Sequence, residues 1–266
     1  MKFNRRETLL LAAAASALGL CGVATAQAAE GDMIDTAKLM DPAGDIADKV
    51  EGNPDAPVTI IEYASPTCPH CAAFHNNVYP ELKAQYIDTG KVKFILRPFI
   101  RNVLDAAVFM LAEAAGETNY ENVIGTFFRT QNTWGVSDKP RDAILDVAKQ
   151  LGFTQESFDA ALTNQDLYNG MEALRDQALN DFNLQGTPTF YINGKLLSGD
   201  KTIEQMAAEI DPLVPADFVA PAGAATAPEA GQPAADATAA EAPAADAAPA
   251  APAADAMSPV TPAPAQ

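Results

Sequence analysis

The sequence predicts an α/β domain: a small mixed sheet interrupted by a helical insertion and followed by a tail that stays disordered. Two features of the 266-residue chain carry this. Its apolar periodicity changes in the order strand, helix, strand, five helical stretches, two strands, helix. Beyond about residue 213, the branched and aromatic residues that could build a core nearly disappear.

Residues 1–28 have the pattern of a secretory signal peptide. Lys2, Arg5 and Arg6 precede an apolar run from Leu9 to Leu20, and small residues end in the A-x-A sites Ala24-Thr25-Ala26 and Ala26-Gln27-Ala28. Cleavage after Ala26 or Ala28 places the mature chain in the periplasm or another extracytoplasmic space. Three variants stay open. Weak apolar character continues to Ala29, at about spanning length for an uncleaved anchor. Arg5-Arg6 could address the twin-arginine route, although Glu7 and Thr8 depart from that signal and favour Sec-type export. Cys21 could carry a lipid, although Leu20 before it is larger than a lipoprotein box normally has. Residues 29–56 form a lead-in segment.

The domain itself is expected over 57–212, about 155 residues, enough for one core. Residues 57–64, rich in β-branched and aromatic types and ended by Ser65-Pro66, predict a buried strand. Pro69 fits the first position of a helix whose apolar face runs through Phe74, Val78, Leu82 and Tyr86 until Thr89-Gly90. Residues 92–99 predict a second strand, so the opening is a strand–helix–strand unit, which makes a parallel pair. A helical insertion follows at about 101–183, with helices near 103–115, 120–130, 141–152, 155–162 and 166–182, punctuated by Gly116, Gly135, Pro140 and Gly152. Strand-like sequence returns at 187–192, turns at Asn193-Gly194, a strong hairpin signal, resumes at 195–197, and ends in a helix over about 202–210.

Residues 213–266 are almost wholly Ala, Pro and scattered acids, a composition that cannot bury a core and predicts a disordered solvating tether or a docking segment. The formal charge of the whole chain is −18. Removing a leader with three bases and one acid brings it near −20. Phosphate neutralisation needs Lys and Arg, so nucleic acid is excluded as a partner.

If Cys21 leaves with the leader, only Cys68 and Cys71 remain, in Cys68-Pro69-His70-Cys71, bound for an oxidising compartment. A ring this short gains little from cross-linking, so a structural role is weak. With Pro69 as the first helical residue, Cys68 is the N-cap. Its sulfur can accept from the N–H groups of His70 and Cys71 and sits at the positive end of the helix dipole. Both favour a thiolate, expected to be open to solvent, and such cysteines reach pKa values from about 3.5 to 7.5. His70 adds a donor near the sulfur and a charge when protonated. Cys71, one turn on, faces inward and is the less reactive, resolving sulfur.

This strand, the Cys-Pro-His-Cys helix, the helical insertion and Gly186-Thr187-Pro188-Thr189-Phe190 together resemble the thioredoxin-fold family of periplasmic dithiol oxidases typified by DsbA, over residues 45 to 212. The resemblance implies a thioredoxin-like fold and an exported oxidase that donates the Cys68–Cys71 disulfide, needing no cofactor beyond that disulfide. Its partners would be reduced or misoxidised exported polypeptides and a membrane redox partner that regenerates the active state. It implies that Pro188 is the cis-proline facing the cysteine pair and that Glu62 is the buried acid that assists proton transfer at the inner thiol. From the residues alone, Pro188 reads as an edge-strand proline and Glu62 as a surface-facing strand residue. Thr187 departs from the best-known oxidases, which place an aliphatic residue before the cis-proline. Threonine there also occurs among isomerases and reductases, so disulfide isomerase or reductase remains the alternative.

Two readings of other classes stand beside this one. Cys68, Cys71 and His75 form C-x2-C-x3-H, part of a zinc site that would need a fourth ligand. A redox-inert chaperone or binding module could use the same scaffold.

Overall fold

The computed structural model describes residues 29–224; the predicted signal peptide and residues 225–266 of the predicted tail lie outside them. Five strands form one sheet in the order β1-β3-β2-β4-β5, with β1 Val50–Gly52, β2 Val58–Ala64, β3 Val92–Pro98, β4 Thr189–Ile192 and β5 Lys195–Ser198. β2 and β3 are parallel, from Val58 opposite Val92 to Ala64 opposite Pro98, while every other pair is antiparallel. A parallel pair needs a crossover, and helix α2 (Pro69–Asn77), helix α3 (Tyr79–Leu82) and a π turn at Lys83–Ile87 supply it. The expected single helix is broken at Val78, which caps α2 and starts α3. Pro80 explains the break, because its ring and missing N–H cannot continue the ladder.

β2 is central and covered on both faces, so its apolar run does not alternate with polar residues. Val58 and Ile60 pack with Phe74 and Leu82 of the crossover and with Met206 and Ile210 of the last helix, α10 (Ile203–Ile210). Ile61 and Tyr63 face Leu174, Ala178 and Phe182 on the other side. Between β3 and β4 stand α4 Val103–Ala114, α5 Glu117–Arg129, α6 Gln131–Trp134, α7 Pro140–Gln150, α8 Gln155–Ala161 and α9 Gln165–Asn180. This insertion has its own core around Phe109, Phe127, Trp134 and Phe158, and that core also takes in Cys68, Cys71 and Ala72. The cysteine pair therefore sits at the seam between sheet layer and insertion.

The lead-in segment covers both edges of the sheet. β1 pairs with β3, and at the other edge Gly31 N–H donates to Leu196 O and Ile34 N–H to Gly194 O. An unpaired edge is a template for aggregation, and these short segments close it. Nothing in the alternation of residues 50–52 announces a strand, because three residues are too few to show a period. Asp48 pins the same segment to β3: Arg97, 1% exposed, donates to Asp48 Oδ1 at 2.8 Å and Oδ2 at 2.6 Å and to the Tyr63 hydroxyl at 3.0 Å.

The first residues after α10 also lie on the domain. Val214 packs against the α10 side of the core, and Pro221 lies over Gly90. With φ 78 and only 2.6 Å from a would-be Cβ to Pro221 Cδ, Gly90 admits no side chain. Val214 and Phe218 are half-buried, whereas Leu213 and Val219 are exposed, and the Ala/Pro composition takes over beyond them.

Replacing Asp48 by Ala leaves a buried guanidinium without its carboxylate. We expect a loss of about 3–5 kcal/mol in urea unfolding, with the Asp48→Asn protein in between.

Candidate active site

Strand β2 delivers the chain to the site, and residues 65–67 turn it into α2. Cys68 is the N-cap, with extended φ −83 and ψ 120, and Pro69 follows in the first turn, so the helix starts where its proline predicts. Both cysteines are free thiols. Across the groove the Thr187–Pro188 peptide is cis, and Cys68 Sγ donates to the Thr187 carbonyl at 3.2 Å. The antiparallel pairing of β2 with β4, Tyr63 opposite Thr189, is what brings positions 119 apart in sequence together.

The two sulfurs differ sharply in acidity. The Cys68 thiol falls from the ordinary 9.0 to about 5, chiefly through the Cys71 thiol beside it; burial opposes the shift, and Thr187 and the backbone N–H groups of Cys71 and His70 assist it. Those amides act by their direction, since neither meets the geometry of a side-chain cap; the expected cap hydrogen bonds are not formed. Cys71, fully buried, is raised well above 9.0, first by burial, then by Cys68 and the charge of Glu62.

Two expectations are corrected. Cys68 is only 3% exposed, not open to solvent, because the Thr187 carbonyl and the insertion core close around it. The His70 ring does not serve the sulfur: it is 66% exposed and its Nδ1 pairs with Asp200 at 2.6 Å. An imidazole at the second position of a helix points outward, and the loop after β5 offers it a carboxylate.

Glu62 is completely buried, on the α2 face of the sheet by the alternation that Val58 and Ile60 set, and not on a surface. Its Oε2 lies 2.8 Å from His75 Nε2, while Oε1 has no hydrogen-bond partner. His75 is thus committed to Glu62, and among the described residues no group of three or more His, Cys, Asp or Glu is placed to hold a metal.

The residues that hold the turn before Cys68 come from the insertion, and sequence reasoning missed them. Asp105 Oδ1 accepts from Ser65 Oγ at 2.9 Å and Thr67 N–H at 2.8 Å, and its Oδ2 from Arg101 N–H at 2.9 Å. Gln131 Nε2 donates to the carbonyls of Pro66 at 2.6 Å and Cys68 at 2.9 Å. Asp105 is readable as an acid in the first turn of α4, behind the N-cap Asn102. Its reach across 38 residues to Thr67 is not.

A Cys-x-x-Cys at a helix start, facing a cis-proline across a five-stranded mixed sheet, defines a thioredoxin-fold protein with a dithiol site. A thioredoxin family model matches residues 45–212, and the chain belongs to that family. It is 33% identical over 171 residues to a Rickettsia bellii protein named as a candidate protein-disulfide oxidoreductase, covering 63% of this chain and 64% of the relative, less than two thirds of its length. Wolbachia pipientis alpha-DsbA1, in a form with two cysteine-to-alanine substitutions, superposes with a TM-score of 0.62 at 29% identity, over 68% of this chain and 96% of that one. A protein-disulfide isomerase from Novosphingobium aromaticivorans gives 0.56 at 26% identity, over 65% and 98%.

The thiolate absorbance of reduced protein should titrate with a midpoint at about 5, and Thr187→Val should move it upward. A wild-type midpoint like that of free cysteine would contradict the site electrostatics. Gln131→Leu strands the buried Pro66 carbonyl, while the Cys68 carbonyl keeps the Ala72 N–H at 3.1 Å, and should cost about 1–3 kcal/mol in urea unfolding.

Proposed function

We propose that the chain is an exported thiol-disulfide oxidoreductase acting as a dithiol oxidase on reduced or misoxidised polypeptides in the periplasm. The observation that carries this reading is the placement of the two sulfurs, Cys68 at the helix start against the carbonyl of the cis Thr187–Pro188 peptide and Cys71 completely buried one turn in. In the oxidised protein a substrate thiolate attacks Cys68 Sγ, the Cys68–Cys71 bond breaks, and Cys71 leaves and takes a proton. A second substrate thiolate then attacks its own sulfur in the mixed disulfide and expels Cys68 as a thiolate. One disulfide is made in the substrate and one is lost in the protein. The lowered pKa of Cys68 makes it the better leaving group, which favours attack at that bond. Peptide binding beside Thr187 and Pro188 must displace the Thr187 carbonyl from Cys68, after which that carbonyl is free to meet substrate backbone. A membrane redox partner then withdraws the electrons. The signal-peptide pattern of residues 1–28 supports this compartment; among the described residues no helix is long and apolar enough to cross a membrane.

Linkage sets the direction. The Cys68 thiolate exists only when the disulfide is open, so its stabilisation favours the reduced protein. At pH 7 a midpoint at about 5 in place of 9.0 is worth roughly 2–3 kcal/mol, or roughly 40–60 mV for a two-electron couple. An isomerase is the second reading, favoured by Thr187 and by the Novosphingobium neighbour.

Oxidation of reduced ribonuclease should proceed with catalytic amounts of the oxidised protein. Rapid reduction of insulin without such oxidation would reverse the assignment. Cys68→Ser should abolish exchange, while Cys71→Ser should accumulate mixed disulfides on Cys68. The thiolate stabilises the folded reduced state fully above the unfolded value near 9.0, and this is lost as pH falls through about 5. At pH 7 the reduced form should therefore melt higher than the oxidised form, and the gap should shrink towards pH 4 to 5. A gap independent of pH would contradict it.

A further inference from the structure

A buried resolving thiol creates a transport problem. Cys71 and Glu62 are both completely buried, so a proton released by one and taken by the other has no direct way to water. The structure offers one exit. Glu62 keeps Oε1 unpartnered and turns Oε2 to His75 Nε2 at 2.8 Å. The imidazole is stacked on Phe128, with ring centroids 4.3 Å apart and planes at 15°, and Tyr79 stands 4.9 Å away on centroids. Its ring is therefore fixed with one nitrogen on the carboxylate.

The same side chain, 7% exposed, lines a cavity of about 430 Å³ whose wall carries Glu51, Tyr79, Lys83, Glu121 and Arg129. We propose that His75 conducts protons between Glu62 and the water of this cavity, so that Cys71 gains and loses its proton without the domain opening. This rests on the oxidoreductase reading. His75 touches neither sulfur nor substrate and works through Glu62, so it is a relay and positioning residue.

The steps balance. When Cys71 attacks a mixed disulfide on Cys68, its S–H proton passes to the Glu62 carboxylate at Oε1, the neutralised carboxyl hands a proton from Oε2 to His75 Nε2, and the other ring nitrogen releases one to the cavity. One S–S bond forms, one breaks, and the substrate sulfur departs as a thiolate. The return path serves Cys71 when it leaves the disulfide. Burial holds the Glu51 carboxyl at about 7, with its Oε2 accepting from the Tyr79 hydroxyl. The cavity wall can therefore exchange protons near neutrality. The charged and titratable groups facing the relay are Cys71 from α2, Glu62 from β2, Glu51 from β1, Tyr79 and Lys83 from the crossover, and Tyr120, Glu121 and Arg129 from α5.

The alternative is a merely structural pair fastening α2 to β2, and His75→Gln separates the two. Glutamine keeps an N–H for Glu62 but passes no proton. Full-length protein, reduced and mixed with glutathione disulfide, forms the Cys68–glutathione adduct, and release of the second glutathione reports attack by Cys71. We expect His75→Gln to slow that release about tenfold or more, in line with losing a proton-transfer group. Its pH profile should shift alkaline, and imidazole, which fits the cavity, should restore the rate. Alkylation of Cys68 by iodoacetamide should stay as in wild type.

Wild-type release and pH profile in His75→Gln, or slowed release that imidazole leaves unchanged, overturns the relay. Should the variant fold poorly, wild type still decides: release must slow in deuterated water more than does Cys68 alkylation, and equal slowing overturns the proposal. Failure of wild type to release glutathione at all would overturn the oxidoreductase reading with it.

Discussion

The site depends on one juxtaposition, the Cys68 sulfur 3.2 Å from the Thr187 carbonyl. The two residues stand 119 positions apart in sequence. They meet because β2 and β4 are neighbours in the sheet, and because the helical insertion leaves at the end of β3 and returns at the start of β4. The strand that ends at Ala64 and the strand that begins at Thr189 thus open onto one groove, and the helix grown from the first aims its amides at the sulfur. Remove the pairing, and the cysteines remain a short motif with nothing to face.

The same sheet divides the labour between sulfurs three residues apart. Cys68 is at the first position of the helix, where amide dipoles and the neighbouring thiol favour its anion. Cys71 is one turn in, where burial and the Glu62 carboxylate oppose it. Sequence distance contributes little to this contrast. It is the depth of a single helical turn, with β2 running beneath it, that separates a ready nucleophile from a reluctant one.

The fold was legible where periodicity is long and punctuation strong. β2, β3, the Asn193-Gly194 hairpin and most of the insertion helices follow from branched residues, Gly and Pro, within a few residues at their ends. β1 escaped because three residues show no period, and the break at Val78 because Pro80 sat inside an otherwise continuous apolar stripe. At the site, Cys68 as N-cap could be derived from Pro69 alone, whereas the settings of Glu62 and Pro188 came from family resemblance. The His70 ring was misplaced in the reading, since sequence cannot show that Asp200, 130 positions away, waits for it. The roles of Asp105, Gln131 and His75 were hidden for the same reason, although His75 stood out as a candidate zinc ligand: each acts across a tertiary contact, and a polar residue in a helix carries no mark of what lies opposite.

Gln131 has a consequence beyond holding a turn. It fixes two carbonyls beside the reactive sulfur with a neutral amide, so shape is maintained by a group that adds no net charge. Mechanical support and electrical tuning are thereby assigned to different residues. The potential of the couple can drift through changes at Thr187 while the frame stays rigid, and the frame can be reinforced without retuning the couple. A lineage built this way can adapt its redox poise one substitution at a time.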